Sequence, residues 1–280
     1  MTATGGAEVV TPATLRAWPL PEPGGDKEAR GRLLVVGGSA ASPGAVRLAG
    51  EAGLRAGAGK LRLATAGSTA AALGVAVPEA AVLALPTDDD GELAVSAADT
   101  LRAEVSRHDA VLLGPGFRDP DAAVALLEQV VPHVEGRLVL DALATAWVAA
   151  HPDGVPTGTV LTVNPGELEH LGSHGPAEVA ARTGAVVLCG GTEKHVATAD
   201  GRAWVVRGGG PGLGSSGSGD VQAGLVAGLL ARGADPAQAA VWAALVHARA
   251  GEELAMRTGT VGFLARELPA LVPALLDQLG

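Results

Sequence analysis

Tyrosine is absent from this chain, phenylalanine occurs twice and tryptophan four times, so aromatic residues fill only 2% of 280 positions. So thin a supply argues against ring stacking as the chief way of holding a base or a sugar. Cysteine occurs once, as Cys189, which excludes an internal disulfide and fits a reducing cytoplasm. Within Val186-Val187-Leu188-Cys189 it reads as a small buried apolar residue. No apolar run reaches the ~18 residues that span a bilayer, and no basic stretch leads into an apolar segment at the start, so no signal peptide is visible. Bases are scarce too. Twenty Lys and Arg against thirty Asp and Glu give a formal charge of −10, which speaks against nucleic acid or an anionic membrane as partner. The seven histidines show no metal-ligand spacing: His108, His133, His151 and His174 stand in polar contexts, and His247 reads as a core histidine. A P-loop lysine motif and a Ser-His-Asp arrangement are also missing.

What the chain has in quantity is small aliphatic residues, arranged as short apolar runs that alternate with helical stretches. Residues 1–31 are polar and proline-bearing and read as a leader arm, and 32–280 as one domain. Strands are expected over 33–36, 61–66, 82–85, 110–113, 138–140, 160–163 and 186–189, each continuous and aliphatic as in a sheet covered on both faces. Helices are expected over 45–57, 119–131 and 142–149, with three more beginning at Val221, Pro236 and Val261. The runs 196–198 and 203–206, split by Asp200-Gly201, read as a hairpin. The class is α/β: three layers around a mainly parallel sheet with an antiparallel edge. Ligands of such sheets sit beyond the carboxyl ends of the strands.

The most informative stretch is Gly210-Pro211-Gly212-Leu213-Gly214-Ser215-Ser216-Gly217-Ser218-Gly219-Asp220, which leads straight into a helix. Successive small residues let neighbouring N–H groups turn toward an anion, and a helix N-terminus adds its own free amides. An aspartate there would repel that anion, unless it takes a proton from the group about to attack it. The plain alternative is a loop ending in an Asp helix cap. Other strand ends carry Gly37-Gly38-Ser39, Gly114-Pro115-Gly116, Asp141 and Asn164-Pro165-Gly166-Glu167. The last is a capping box with Pro at the first helical position, and equally a candidate substrate contact (Asn164) beside an organiser of metal-bound water (Glu167).

Taken in order, Gly37-Gly38-Ser39 with Pro43-Gly44-Ala45, Gly53 through Lys60, Pro78-Glu79-Ala80, Gly114-Pro115-Gly116, Leu140-Asp141-Ala142, Asn164-Pro165-Gly166-Glu167 and Gly217-Ser218-Gly219-Asp220 resemble the ADP- or ATP-dependent NAD(P)H-hydrate dehydratases, which have the ribokinase-like fold. The resemblance runs from about Asp26 to Gly280. It implies repair of hydrated NADH and NADPH through a phosphorylated intermediate, with ADP or ATP as co-substrate and Mg2+ as cofactor. It implies Asp220 as base; Ala45, Gly116, Asn164 and Asp220 as hydrate-binding positions; and Cys189, Gly190, Gly191, Thr192, Glu193, Gly217, Ser218 and Gly219 as nucleotide-binding positions. It further implies a homo-oligomer such as a tetramer and an NAD(P)H-hydrate epimerase as functional partner. That partner is expected on a separate chain, since a 31-residue leader cannot supply it. This sequence departs from the family pattern at three places. Asn164 stands where His is usual, Cys189-Gly190-Gly191 where a Lys-Gly pair is usual, and Gly210 where Asn is usual. A small-molecule kinase of the same fold and a non-catalytic nucleotide binder share the glycine-rich signature, and remain open as alternatives.

Overall fold

In the computed structural model, which describes residues 6–280, the chain forms a ten-stranded sheet with helices on both faces. In chain order the elements begin with β1 (Glu8–Val9), α1 (Pro12–Arg16), β2 (Arg32–Val36), α2 (Pro43–Arg55), β3 (Lys60–Ala66), α3 (Gly67–Ala76) and β4 (Ala80–Leu85). The middle comprises α4 (Ala98–Val105), β5 (Ala110–Leu113), α5 (Pro120–Val130), β6 (Arg137–Asp141), α6 (Thr145–Ala150), β7 (Val160–Val163), α7 (Pro165–His170), α8 (Pro176–Thr183) and β8 (Val186–Cys189). The hairpin β9 (Glu193–Ala197) and β10 (Ala203–Arg207) follows, then α9 (Ser218–Ala231), α10 (Pro236–Thr258) and α11 (Val272–Leu279).

The strand order is β1-β10-β9-β8-β7-β6-β5-β2-β3-β4. The strands from β8 through β4 are parallel, and β9 runs antiparallel to both of its neighbours. This is the mainly parallel sheet with an antiparallel edge that the aliphatic runs imply. Alternation along each strand feeds two cores: Leu33 and Val35 of β2 join the layer containing α2, α9 and α10, while Leu34 and Val36 join the layer containing α4, α5 and α8.

Helix α9 holds the critical loop in place by packing backbone to backbone on α2. A Cβ on Gly224 would collide with the Ala49 carbonyl, and one on Gly228 with the Gly53 carbonyl. Twelve of its fourteen residues are buried; the two that are not, Gly219 and Asp220, lie in its first turn.

Several elements differ from the sequence reading. No helix starts at Val261: Gly259 and Gly262 hold left-handed φ values of 123° and 104°, and two short 3-10 turns precede α11 at Val272. The stretch 142–149 splits into a 3-10 turn at Ala142–Ala144 and α6. The sequence reading gave no helix where α3 lies, because its Gly, Ala and Val residues carry no polar face from which a helical period could be read. The leader's first five residues lie outside the described residues. The remainder packs on the domain: Glu8 and Val9 pair with β10, the Trp18 and Trp204 rings stack at 5.7 Å, and Trp242 Nε1 donates to the Trp18 carbonyl at 2.9 Å.

Candidate active site

The carboxyl ends of β6, β7 and β8 and the start of β9 face the N-terminus of α9 across a cavity of about 730 Å³. The antiparallel turn after β8 brings the beginning of β9 to this same end of the sheet.

On the helix side, Gly217 adopts a left-handed φ of 89° and ends the glycine-rich loop. The Ser218 N–H is taken by the Ser215 carbonyl at 3.2 Å, and the Val221 N–H by the Gly217 carbonyl at 3.2 Å. Among the described residues no acceptor takes the N–H of Gly217, Gly219 or Asp220. These three amides open on the cavity at the positive end of α9, which is the equipment for holding an anion. Asp220 sits inside the first turn, not at the cap, and its carboxylate caps no backbone N–H. The cap reading of Asp220 is therefore excluded. Burial, and next the charge of Glu167, push its carboxyl up to about 6. It is thus ionised at neutral pH yet a far better proton acceptor than an ordinary carboxylate.

On the sheet side, the turn after β7 does what its sequence announces. The Asn164 side chain accepts from the Glu167 N–H at 3.0 Å, and Glu167 Oε2 accepts from the Asn164 N–H at 2.9 Å. Both residues of this capping box also line the cavity. Asp141, at the end of β6, is buried and accepts from Thr162 Oγ1 at 2.6 Å. Burial drives its carboxyl well above the usual carboxylate range, and the neighbouring Asp220 and Glu167 charges add to that. The next residue, Ala142, is the one non-glycine with left-handed φ among the described residues, at 50°. Backbone strain of this kind persists where the surroundings impose it, often at functional sites.

Two further ionisable side chains enter the cavity from β9 and α10. Lys194 of β9 is 3% exposed, and His247 of α10 is also 3% exposed. His247 Nε2 lies 3.1 Å from Ser218 Oγ and 3.0 Å from the Ser218 carbonyl, tying α10 to the first residue of α9. Burial and the nearby Lys194 charge hold His247 down to about 3, so its ring is neutral.

The structure brings Asn164, Glu167, Gly190, Gly191, Thr192, Gly217, Ser218, Gly219 and Asp220 together on this one cavity. Cys189 and Glu193 instead line an adjoining cavity of about 500 Å³, shared through Gly190, Gly191 and Thr192. Burial pushes the Cys189 thiol up to about 11, so it stays protonated. Ala45 and Gly116 meet each other further along the sheet, where a Cβ on Gly116 would stand 3.0 Å from the Ala45 methyl. Among the described residues no three His, Cys, Asp or Glu side chains converge tightly enough to hold a metal ion by themselves.

A sequence profile described as NAD(P)H-hydrate dehydratase matches residues 33–273. The ADP-dependent (S)-NAD(P)H-hydrate dehydratase of Xanthomonas campestris pv. campestris is 50% identical over 281 residues, covering 96% of each chain. The chain belongs to the NAD(P)H-hydrate dehydratase family. Family members differ in length: the Bifunctional NAD(P)H-hydrate repair enzyme Nnr of Moorella thermoacetica is 34% identical, and its match covers 93% of this chain but only 52% of that protein. Among solved family structures, ADP/ATP-dependent NAD(P)H-hydrate dehydratase from Bacillus subtilis, co-crystallised with ATP/Mg2+, superimposes with a TM-score of 0.77. It is 25% identical and covers 98% of this chain and 99% of that one. A ribokinase-like superfamily protein from Enterococcus faecalis reaches a TM-score of 0.84 at 22% identity, with 100% and 99% coverage, which fixes the fold as ribokinase-like.

Proposed function

We propose that this protein is an ADP-dependent (S)-NAD(P)H-hydrate dehydratase, acting in the cytoplasm on hydrated NADH and NADPH. The observation that carries the reading is the pairing of three open amides at 217, 219 and 220 with an uncapped, half-buried Asp220 carboxylate. An anion cradle and a proton acceptor side by side suit phosphoryl transfer to a hydroxyl.

In this mechanism the Asp220 carboxylate takes the proton of the hydrate's hydroxyl. The oxygen attacks the terminal phosphorus of the nucleotide, the new P–O bond forms, and the bond to the leaving phosphate of the nucleotide breaks. The amides of Gly217, Gly219 and Asp220 hold the transferring phosphoryl oxygens throughout. Inorganic phosphate then leaves with the C–O electron pair, the adjacent ring carbon gives up a proton to solvent, and the nicotinamide double bond returns. Asn164, Gly116 and Ala45 are the proposed contacts to the hydrate. The 189–193 turn, with its two cavity-facing glycines, is the proposed seat of the nucleotide.

The donor set fits a magnesium ion carried in on the phosphates and not a protein-built cage. Asp220 and Glu167 face the cavity as carboxylates, no tight three-ligand cluster exists among the described residues, and Mg2+ characteristically keeps several waters. When bound, such an ion neutralises charge building on the phosphoryl oxygens. Glu167, with one oxygen held by the Asn164 N–H, is oriented to reach its water shell through the other. A homo-oligomer and a separate NAD(P)H-hydrate epimerase supplying the S epimer complete the proposal.

The test is recovery of the near-ultraviolet absorbance of the dihydronicotinamide from hydrated NADH, with ADP and ATP compared in parallel. Nucleotide-dependent recovery with release of inorganic phosphate is expected. Accumulation of a stable phosphorylated product would make the protein a kinase instead.

A further inference from the structure

The cavity presents the carboxylates of Glu167 and Asp220, with the buried Asp141 carboxyl beside them, to a ligand that would itself carry several negative charges. The open amides of α9 offset part of that repulsion but carry no full charge. Of the basic side chains lining the cavity, His247 is held neutral by burial, which leaves Lys194.

Lys194 is an unusual lysine. It is 3% exposed, yet among the described residues its Nζ has neither an ion-pair nor a hydrogen-bond partner. The carboxylate whose charge it feels most, Glu252 of α10, is already engaged: Oε2 pairs with Arg249 Nη1 at 2.7 Å and Oε1 accepts from the Gly209 N–H at 3.2 Å. A buried, unpaired ammonium costs stability. Burial accordingly lowers Lys194 to about 8. Its direction is set by register. Lys194 pairs with Val206 on β10 and lies two residues before Val196, so both point from the same face of β9 into the layer of α9 and α10. Position 194 stands at the cavity end of that strand. A lysine held there without a partner is an ammonium waiting for an anion.

We propose that Lys194 is the cation that receives the terminal phosphates of the nucleotide, reaching them from the sheet side while the open amides at 217, 219 and 220 hold them from the helix side. The assignment rests on the nucleotide-dependent reading above. It gives this chain a full positive charge at the site even though residues 189 and 190 are Cys and Gly.

The experiment is calorimetric titration of the full chain and of Lys194→Met and Lys194→Arg, using ADP and, separately, inorganic pyrophosphate, each with magnesium. Met keeps the apolar stem and removes the charge. Thermal unfolding of each variant first establishes that it is folded, and the Met variant is expected to melt no lower than wild type, since it removes a buried unpaired charge. For both ligands Lys194→Met is expected to raise Kd about ten- to hundredfold, the worth of one charge-assisted contact. Lys194→Arg should retain most of the affinity. Wild-type ADP affinity should also weaken above about pH 8 as Lys194 deprotonates, and the Met variant should lack that step. The other titratable groups around the ammonium are Glu252 and His247 of α10, Asp220 of α9, and Asp141 and Glu167 beyond the carboxyl ends of β6 and β7. Equal Kd values for a folded Lys194→Met and wild type would overturn the assignment while leaving the nucleotide reading intact. Lys194-dependent binding of pyrophosphate without any binding of ADP would retain the phosphate role and overturn the nucleotide reading. Binding of neither ligand by wild type would sink both.

Discussion

His247 on α10 and Ser218 on α9 are joined through one nitrogen: Nε2 lies 3.1 Å from the Ser218 hydroxyl and 3.0 Å from its carbonyl. The contact pins the first residue of the helix whose amides face the cavity. The neutral ring at pH 7 and the buried Nδ1 without a partner show that the histidine serves as a fixed strut, not as a titrating catalyst.

Replacing His247 with Leu should therefore leave the Ser218 hydroxyl buried and unpaired, at a cost of about 1–3 kcal/mol. Because His247 is depressed in the folded state, it opposes folding in acid. Its contribution is fully present above its unfolded value of 6.5 and is lost as pH falls toward about 3. Denaturant titration across that window should show a shallower acid loss for His247→Leu than for wild type. Parallel curves would contradict the buried neutral assignment.

Asp220 has the opposite sign. Its folded value of about 6 lies above the ordinary 3.8, so its charged form penalises the fold. The penalty is absent below the unfolded value and complete above the folded one. Asp220→Asn should then match wild-type stability near pH 4 and exceed it above pH 7. The rise from 3.8 to about 6 sets a scale of about 2–3 kcal/mol. Thermal unfolding at both ends of the range checks it, and an Asn variant less stable than wild type at high pH would refute it.

Much of this was legible beforehand. The strand runs, the Asp200-Gly201 hairpin and the capping box at Asn164 and Glu167 were readable because each rests on local rules of period, turn and cap. The inward, buried placement of Lys194 was not, because Glu193-Lys194-His195 reads as a polar stretch and the hairpin strand was started only at residue 196. Carrying the strand's alternation back two residues from Val196 would have put Lys194 on the inner face. The left-handed Ala142 has no sequence signature, since alanine shows no preference for that backbone region. Whether Asp220 caps its helix or stands free inside the first turn was equally a matter of where α9 begins, and the left-handed Gly217 begins it at Ser218.

A charge placed at residue 190 should substitute for the one at 194. A Cβ on Gly190 would meet only the Val163 carbonyl at 3.7 Å and Gln222 Nε2 at 3.8 Å, ordinary contacts, so the backbone there accepts a Cβ without strain. In a Lys194→Met background, Gly190→Lys is expected to recover about tenfold in ADP affinity, part of one charge-assisted contact. Calorimetry of the double variant decides it. No recovery in a folded protein would mean that the phosphates lie out of reach of position 190.

The central claim is that Asp220 is the proton acceptor beside an anion cradle, and turnover of hydrated NADH by Asp220→Asn tests it most directly. The variant keeps the shape of the side chain and cannot take the proton. The account predicts turnover lowered by about two to four decades with nucleotide binding retained or tightened, and a wild-type rate that falls as pH drops below about 6. Turnover within a few-fold of wild type would contradict it.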